Sequence, residues 1–285
     1  MIRTALTHHM PHTLREAGDL LGGLDGTTAV LGGGTMLVPA MGRGERTYDH
    51  VVDLRRLGLS GVTSTADEVE LGAMTTYSAV LAADVDGPAN LLKRLAAGIT
   101  GGPQLRNQGT VGGSASYANP SSDVPAALVA TGARLSLHGA NGVREVTAAQ
   151  FFRDAFETVL AGDEIVTKIR IPKNDARTGY FKLKLSESSW PIATGAAVAA
   201  HTDGRLTQAT VTLGGVCATP VTVDVTECVD ERGVLTVSDR EWAELIEQHL
   251  EDPWDDELAP ASYRQQVAGV VARRAWEETI QDGEQ

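Results

Sequence analysis

Cysteine is almost missing from this chain: its 285 residues include two, Cys217 and Cys228. Neither belongs to a CxxC pair or has a histidine at ligand spacing. That argues against a disulfide framework, and against an iron–sulfur cluster held by this chain, which would need about four thiolates. Aromatic residues make up only 5%, so the core must be built mostly from Val, Leu, Ile and Ala. Positive charge is short as well, with 24 Lys and Arg against 37 Asp and Glu and a net charge of −13. Such a balance argues against nucleic acid or an anionic membrane surface as partner, while leaving room for a local pyrophosphate pocket. No stretch approaches the ~20 apolar residues of a membrane span. Met1 to Leu20 is polar and lacks a signal-like apolar run, which predicts a cytoplasmic protein.

What is present is an ordinary globular composition, 42% hydrophobic and 21% charged, long enough for one to three compact units. Two glycine-rich loops stand out. The apolar run Ala29 to Leu31 leads into Gly32-Gly33-Gly34-Thr35-Met36. Leu37 stands where the third glycine of GxGxxG should be, and no GK[ST] follows, so neither common nucleotide loop is present. The second loop, Thr110-Val111-Gly112-Gly113-Ser114, is expected to be a turn in which paired glycines admit positive φ. Its successive N–H groups would form a nest for a phosphate. Asp123 follows in Asn119-Pro120-Ser121-Ser122-Asp123-Val124-Pro125, as a plausible helix N-cap whose carboxylate would accept hydrogen bonds from sugar hydroxyls. Two uncommon loops gripping one pyrophosphate, with a hydroxyl acceptor beside them, point to a nucleotide cofactor. One loop alone reads more simply as a glycine-rich connection before a capped helix.

Three units are expected, spanning residues 1–59, 60–176 and 177–285. In the first, Thr13 and Glu16 form a capping box for a helix from Leu14, and strands run at Ala29 to Leu31 and His50 to Leu54. His8, His9 and His12 lack carboxylate or cysteine partners in the sequence, so a metal there is not expected. In the second, Glu68 to Leu71 is a strand that turns into a helix capped by Thr75 or Thr76. Ala89 to Ile99 has helical spacing, and strands follow at Arg134 to His138 and Val143 to Val146. A short helix around Gln150 to Phe156 precedes a strictly alternating strand, Glu164 to Ile171. In the third, strands at Tyr180 to Leu185, Ala193 to Ala200 and Leu206 to Leu213 include a hairpin at Thr202-Asp203-Gly204-Arg205. Helices close the unit at Arg240 to Leu250 and Ser262 to Ile280.

GGGTMLVPAM, GPQLRNQGTVGGSASYANPSSDVPAALVATGA and TVLAGDEIVTKIRIP together resemble the FAD-binding medium subunit of molybdenum hydroxylases, the carbon monoxide dehydrogenase medium-chain type, homologous to the flavin domain of xanthine dehydrogenase. The likeness runs from about Leu14 to the C-terminal helix. It implies an α+β fold: two α/β subdomains of the vanillyl-alcohol-oxidase (PCMH-type) FAD-binding fold, then a C-terminal α/β domain. It also implies that Gly32, Gly33, Gly34, Thr35 and Met36, with Thr110, Val111, Gly112, Gly113 and Ser114, bind the FAD pyrophosphate through backbone N–H groups, and that Asp123 binds the adenosine ribose. Tyr117 would line the cofactor or be a buried structural tyrosine. Val166 would pack near the flavin or simply fill the strand core. Lys182 would stabilise reduced flavin beside N1 and O2, or be an exposed strand lysine. Trp190 would shield a flavin face. Ser114 replaces the family's usual asparagine, and the familiar basic residue near Glu187 to Ser189 is missing. Arg106 would face the pyrophosphate or a partner, or form a structural salt bridge.

The resemblance further implies an oxidoreductase complex, a heterohexamer of two three-subunit units. Its large subunit carries the molybdenum cofactor and its small subunit two [2Fe–2S] clusters; electrons pass through FAD to an external acceptor. A stand-alone FAD-dependent oxidase or reductase of the same superfamily is the alternative, and a non-redox nucleotide-binding or assembly protein is a third reading. No acid–base pair or nucleophile stands out in the sequence.

Overall fold

A computed structural model describes residue 2 and residues 4–202 and 204–281. Its first sheet is parallel, with β1 (Thr7–His9) and β2 (Thr28–Leu31) flanking β3 (His50–Asp53). Two helices join these strands, α1 (Leu14–Gly23) and α2 (Leu37–Arg43). Thr13 caps α1 by accepting from the Glu16 N–H. The expected capping box is only half formed, because the Glu16 carboxylate accepts from the His12 N–H at 2.8 Å instead. The three amino-terminal histidines have separate partners: His8 meets Asp53 at 3.1 Å, His9 meets His50 at 3.2 Å, and His12 accepts from Arg56 at 3.2 Å.

The second sheet is antiparallel. Its members are β4 (Val62–Ser64), β5 (Glu68–Gly72), β6 (Arg134–Gly139), β7 (Gly142–Thr147) and, after a short excursion, β10 (Ile165–Pro172), in spatial order β4-β5-β10-β6-β7. Between β5 and β6 lie α3 (Tyr77–Ala82), α4 (Asn90–Ala97), α5 (Gly102–Gln108), α6 (Val111–Tyr117) and α7 (Asp123–Ala130). Thr76 caps α3, whereas the Thr75 hydroxyl is buried and bonded to the backbone of Gly61. The helix expected at Gln150 to Phe156 is shorter: α8 (Ala148–Phe151) stops where β8 (Phe152–Asp154) pairs with β9 (Glu157–Thr158). The strict alternation expected along β10 is also broken, because a bulge between Val166 and Lys168 leaves Ile165, Val166 and Thr167 all buried.

The third sheet is an antiparallel meander of β11 (Arg177–Lys184), β12 (Pro191–Thr202), β13 (Arg205–Gly214) and β14 (Val221–Asp224), followed by α9 (Asp239–Glu247) and α10 (Ala261–Gln281). The β12–β13 hairpin forms where the sequence predicts it, although Asp203 lies outside the described residues. The meeting of β11 with α10 is very close, since a Cβ on Gly179 would stand 2.0 Å from the Ala275 carbonyl oxygen. Arg264 of α10 is fully buried. It pairs with Asp256 and donates to the carbonyls of Ile192, Gly215 and Ala259. Asp256 also accepts from the Trp254 indole and the Ser121 hydroxyl, which ties this third layer to the segment just before α7.

Candidate functional site

The two glycine loops, far apart in sequence, touch in space. A Cβ on Gly33 would lie 1.9 Å from the Gln108 carbonyl oxygen, and one on Gly32 would lie 3.3 Å from the Thr110 hydroxyl oxygen. Only glycine lets the backbones approach this closely. The two loops differ sharply in the state of their donors. In the first, Gly34 is left-handed, with φ +73°, and leads into α2, whose N-cap position, Met36, offers no side-chain oxygen. The N–H groups of Gly33, Gly34, Thr35, Met36 and Leu37 accordingly find no acceptor among the described residues. A row of half-buried unpaired N–H groups at a helix start suits an anion.

The second loop corrects the expectation. Thr110 to Ser114 is not a turn with positive φ but the capped start of α6, and its donors are already used. Val111 donates to the Thr75 carbonyl at 3.0 Å, Gly112 to that of Ala73 at 2.9 Å, Gly113 to the Thr110 hydroxyl at 3.1 Å, and Ser114 to the Thr110 carbonyl at 3.0 Å. Gly112 is required for packing, since its Cβ would meet Ala73 backbone at 2.6 Å. This block is therefore the floor against which the first loop rests, and the expected shared nest reduces to the first loop.

Beside the floor lies a buried polar cluster. Asp123 is not the cap of α7 but its first residue, with Ser122 in the cap position. Its Oδ2 accepts from Lys182 Nζ at 2.9 Å and its Oδ1 from the Tyr180 hydroxyl. The Asp123 and Lys182 side chains are only 5% and 8% exposed, so Lys182 is no exposed strand lysine. Lys182 also donates to the Gly98 carbonyl at 3.0 Å. The Ser114 hydroxyl pairs with that of Tyr77. Burial, and then the Asp123 charge, push the Tyr180 phenol well above its ordinary range; burial does the same to Tyr77. Both therefore remain protonated donors. Tyr180 and Tyr77 escaped the sequence reading, though Tyr180 lies two residues from Lys182 on one strand face, which the period of two announces.

The remaining expected residues spread around this centre. Tyr117 is half-buried, its ring edge-on to Phe156 at 5.3 Å; Phe156 in turn meets Trp254 at 6.2 Å. Val166 is buried in the main core at the β10 bulge. Trp190 is half-buried in the loop after β11, which Thr100 holds by donating to the Ser189 carbonyl at 2.9 Å. In that loop Lys184 reaches Glu187 at 2.7 Å. Arg106 caps the Ala97 carbonyl at 2.9 Å. Among the described residues no group of three metal-ligating side chains occurs.

A row of unpaired N–H groups, a tight glycine contact behind it and a buried carboxylate–ammonium pair are chemically suited to a phosphate- and hydroxyl-bearing ligand. The comparisons with known proteins are specific. Residues 4–174 match the family described as the FAD binding domain in molybdopterin dehydrogenase, and residues 179–279 match the CO dehydrogenase flavoprotein C-terminal domain. The chain belongs to this flavoprotein family, as a medium-type subunit of an oxidoreductase. It is 32% identical over 280 residues to the carbon monoxide dehydrogenase medium chain of Afipia carboxidovorans, with 97% of each covered. It is 30% identical over 269 residues to the glyceraldehyde dehydrogenase medium chain of Sulfolobus acidocaldarius, covering 93% of this chain and 95% of that one. A chain of the reconstituted CO dehydrogenase from Oligotropha carboxidovorans superposes with TM-score 0.87 at 31% identity, with 99% of each chain covered. Quinoline 2-oxidoreductase from Pseudomonas putida 86, at 22% identity and TM-score 0.85, shares the fold.

Proposed function

We propose that this chain is the FAD-carrying, electron-exit subunit of a cytoplasmic molybdenum hydroxylase. In this reading a small subunit with two [2Fe–2S] clusters delivers electrons drawn from a large molybdenum-cofactor subunit, and an external acceptor takes them away. The three subunits, doubled, make a heterohexamer. The row of unpaired N–H groups from Gly33 to Leu37 carries the proposal, because no acceptor among the described residues uses those donors. Bound FAD would supply the redox centre that joins one-electron clusters to the acceptor.

The protein's own part is binding, orientation and charge. Gly33, Gly34, Thr35 and Met36 hold the pyrophosphate through backbone N–H groups, and Gly32 lets it approach. Thr110, Val111, Gly112 and Gly113 set the position of that loop, and the Ser114 hydroxyl stays near the cofactor through Tyr77. Asp123 and Lys182 sit 2.9 Å apart, so we assign them to one end of the cofactor. There the carboxylate accepts from hydroxyls of the ribityl chain rather than the adenosine ribose, and the ammonium faces the flavin edge. Tyr117 and Trp190 flank the cofactor, and Val166 supports it from the core. The proposed unit boundaries, after residues 59 and 176, follow the three sheets.

The test is purification of the complex from its native host under gentle conditions, with its visible spectrum and polypeptide composition recorded. Flavin bands, iron–sulfur absorbance and two co-purifying subunits are expected. A colourless chain that cannot be loaded with FAD would refute the proposal, and a lone yellow protein reduced directly by a small molecule would replace it with an independent flavoenzyme.

A further inference from the structure

Asp123 is held from two sides by one strand. Tyr180 and Lys182 are separated by two positions on β11, so their side chains leave the same face of the sheet. Each reaches a different carboxylate oxygen, Tyr180 the Oδ1 and Lys182 the Oδ2. An ionised carboxylate offers about four acceptor positions, so with one contact on each oxygen every oxygen still has an acceptor site for a ligand hydroxyl. The terminal torsion of an aspartate is broad and weakly restrained; a single contact through Lys182 would leave the plane of the carboxylate free to turn. Two contacts from one rigid strand fix it.

We propose that Tyr180 is a positioning residue for the cofactor, holding the Asp123 carboxylate in the one orientation that presents its remaining acceptor sites to cofactor hydroxyls. The inference rests on Asp123 being a hydroxyl acceptor, as assigned above. The groups packed around Asp123 are Lys182 and Tyr180 from β11 and Tyr77 from α3, which meets Ser114 of α6. On the same strand the Tyr180 N–H donates to Glu278 of α10 at 3.1 Å, and Arg94 of α4 lies 3.6 Å from that carboxylate. Lys182 is thus the cation paired directly with Asp123, and Tyr180 is a neutral donor that neither gains nor loses a proton in the working range.

FAD binding to the full-length chain tests this, measured by quenching of flavin fluorescence for the native protein, Tyr180→Phe, Asp123→Ala and the double variant. Tyr180→Phe is expected to weaken binding about 10-fold, the effect of one hydrogen bond to a charged group. In the Asp123→Ala background the same change should weaken it no further. The unliganded Tyr180→Phe protein should melt within a few degrees of the native one. Equal affinity would overturn the proposal, as would full additivity in the double variant. Failure of Tyr180→Phe to fold would likewise overturn it, by assigning the phenol to the fold. If Asp123→Ala does not fold, Asp123→Asn takes its place in the cycle, with the same non-additivity expected and full additivity overturning the proposal. A native chain that binds no FAD would refute the cofactor assignment itself.

Discussion

Adding one methyl group at Gly33 should separate cofactor binding from folding. Gly33 does not have a positive φ, so alanine is acceptable to its backbone, and the obstacle is the Gln108 carbonyl oxygen 1.9 Å from the added Cβ. Ordinary contact begins at 3.4 Å, so the two loops must part by about 1.5 Å. Overpacking of this kind typically costs about 1–3 kcal/mol, which for a protein of this size lowers the melting temperature by roughly 3–10 °C. The larger effect falls on the nest. Five N–H groups proposed to hold the pyrophosphate would lose alignment when their loop moves by half a hydrogen-bond length, and forfeiting two charged-group bonds amounts to about 100-fold in affinity. The assay is FAD titration of the purified chain alongside its thermal unfolding without FAD, with Gly23→Ala as control. Gly23 is helical and has nothing within 4 Å of its Cβ, so that change should leave binding untouched. Gly33→Ala binding FAD within threefold of native would refute the assignment of the pyrophosphate to this loop.

Arg264→Met should destabilise the chain by about 3–5 kcal/mol, read from urea midpoints, because Asp256 would be left partly buried without its cation; a loss under 1 kcal/mol would show that the pair contributes little. Glu164 is held below the usual carboxylate range by its bidentate bond to Arg144. Its stabilising contribution should be complete above the unfolded value near ~4.3 and disappear as pH falls through the lower folded value, so native and Arg144→Met urea midpoints should converge in acid. A gap that persists below pH 3 would contradict this. Burial pushes the Cys217 thiol up to about 11. At pH 8 only about one molecule in a thousand then carries the reactive thiolate, so labelling by a disulfide reagent should be about 100-fold slower than for free cysteine.

The elements legible in the sequence are those whose cause is local. The Thr13 cap, the helical spacing behind α4, the hairpin joining β12 to β13 and the strand leading into the first glycine loop all draw on neighbours a few residues away. What misled was a signal with a distant cause. Gly112 and Gly113 look like a turn because glycine breaks helices, yet they open α6: the Ala73 backbone passes where a Cβ on Gly112 would be, and the Thr110 hydroxyl where one on Gly113 would be. Thr110 occupies two of the α6 donors locally, but the acceptors of the Val111 and Gly112 N–H groups, the carbonyls of Thr75 and Ala73, come from before α3. No pattern in GTVGGS announces them. The buried state of Lys182 was hidden for the same reason, because its partners Asp123 and Gly98 lie on other elements. The resemblance to a flavoprotein family picked out Asp123 and Lys182 as residues of interest, and the fold shows that they act as a pair.

The carboxylate at the head of α7 is clamped by a strand that emerges from the ribosome 59 residues later, and the layer bearing that strand is anchored by Asp256 and Arg264, later still. The loop to which the pyrophosphate is proposed to bind, by contrast, is among the first segments made. On that proposal, cofactor loading would be a late event in the life of the polypeptide. A nascent or truncated chain that ends before β11 has its phosphate nest but not its clamp, and should hold FAD loosely. Retention of the cofactor can thus report that synthesis has reached the final layer.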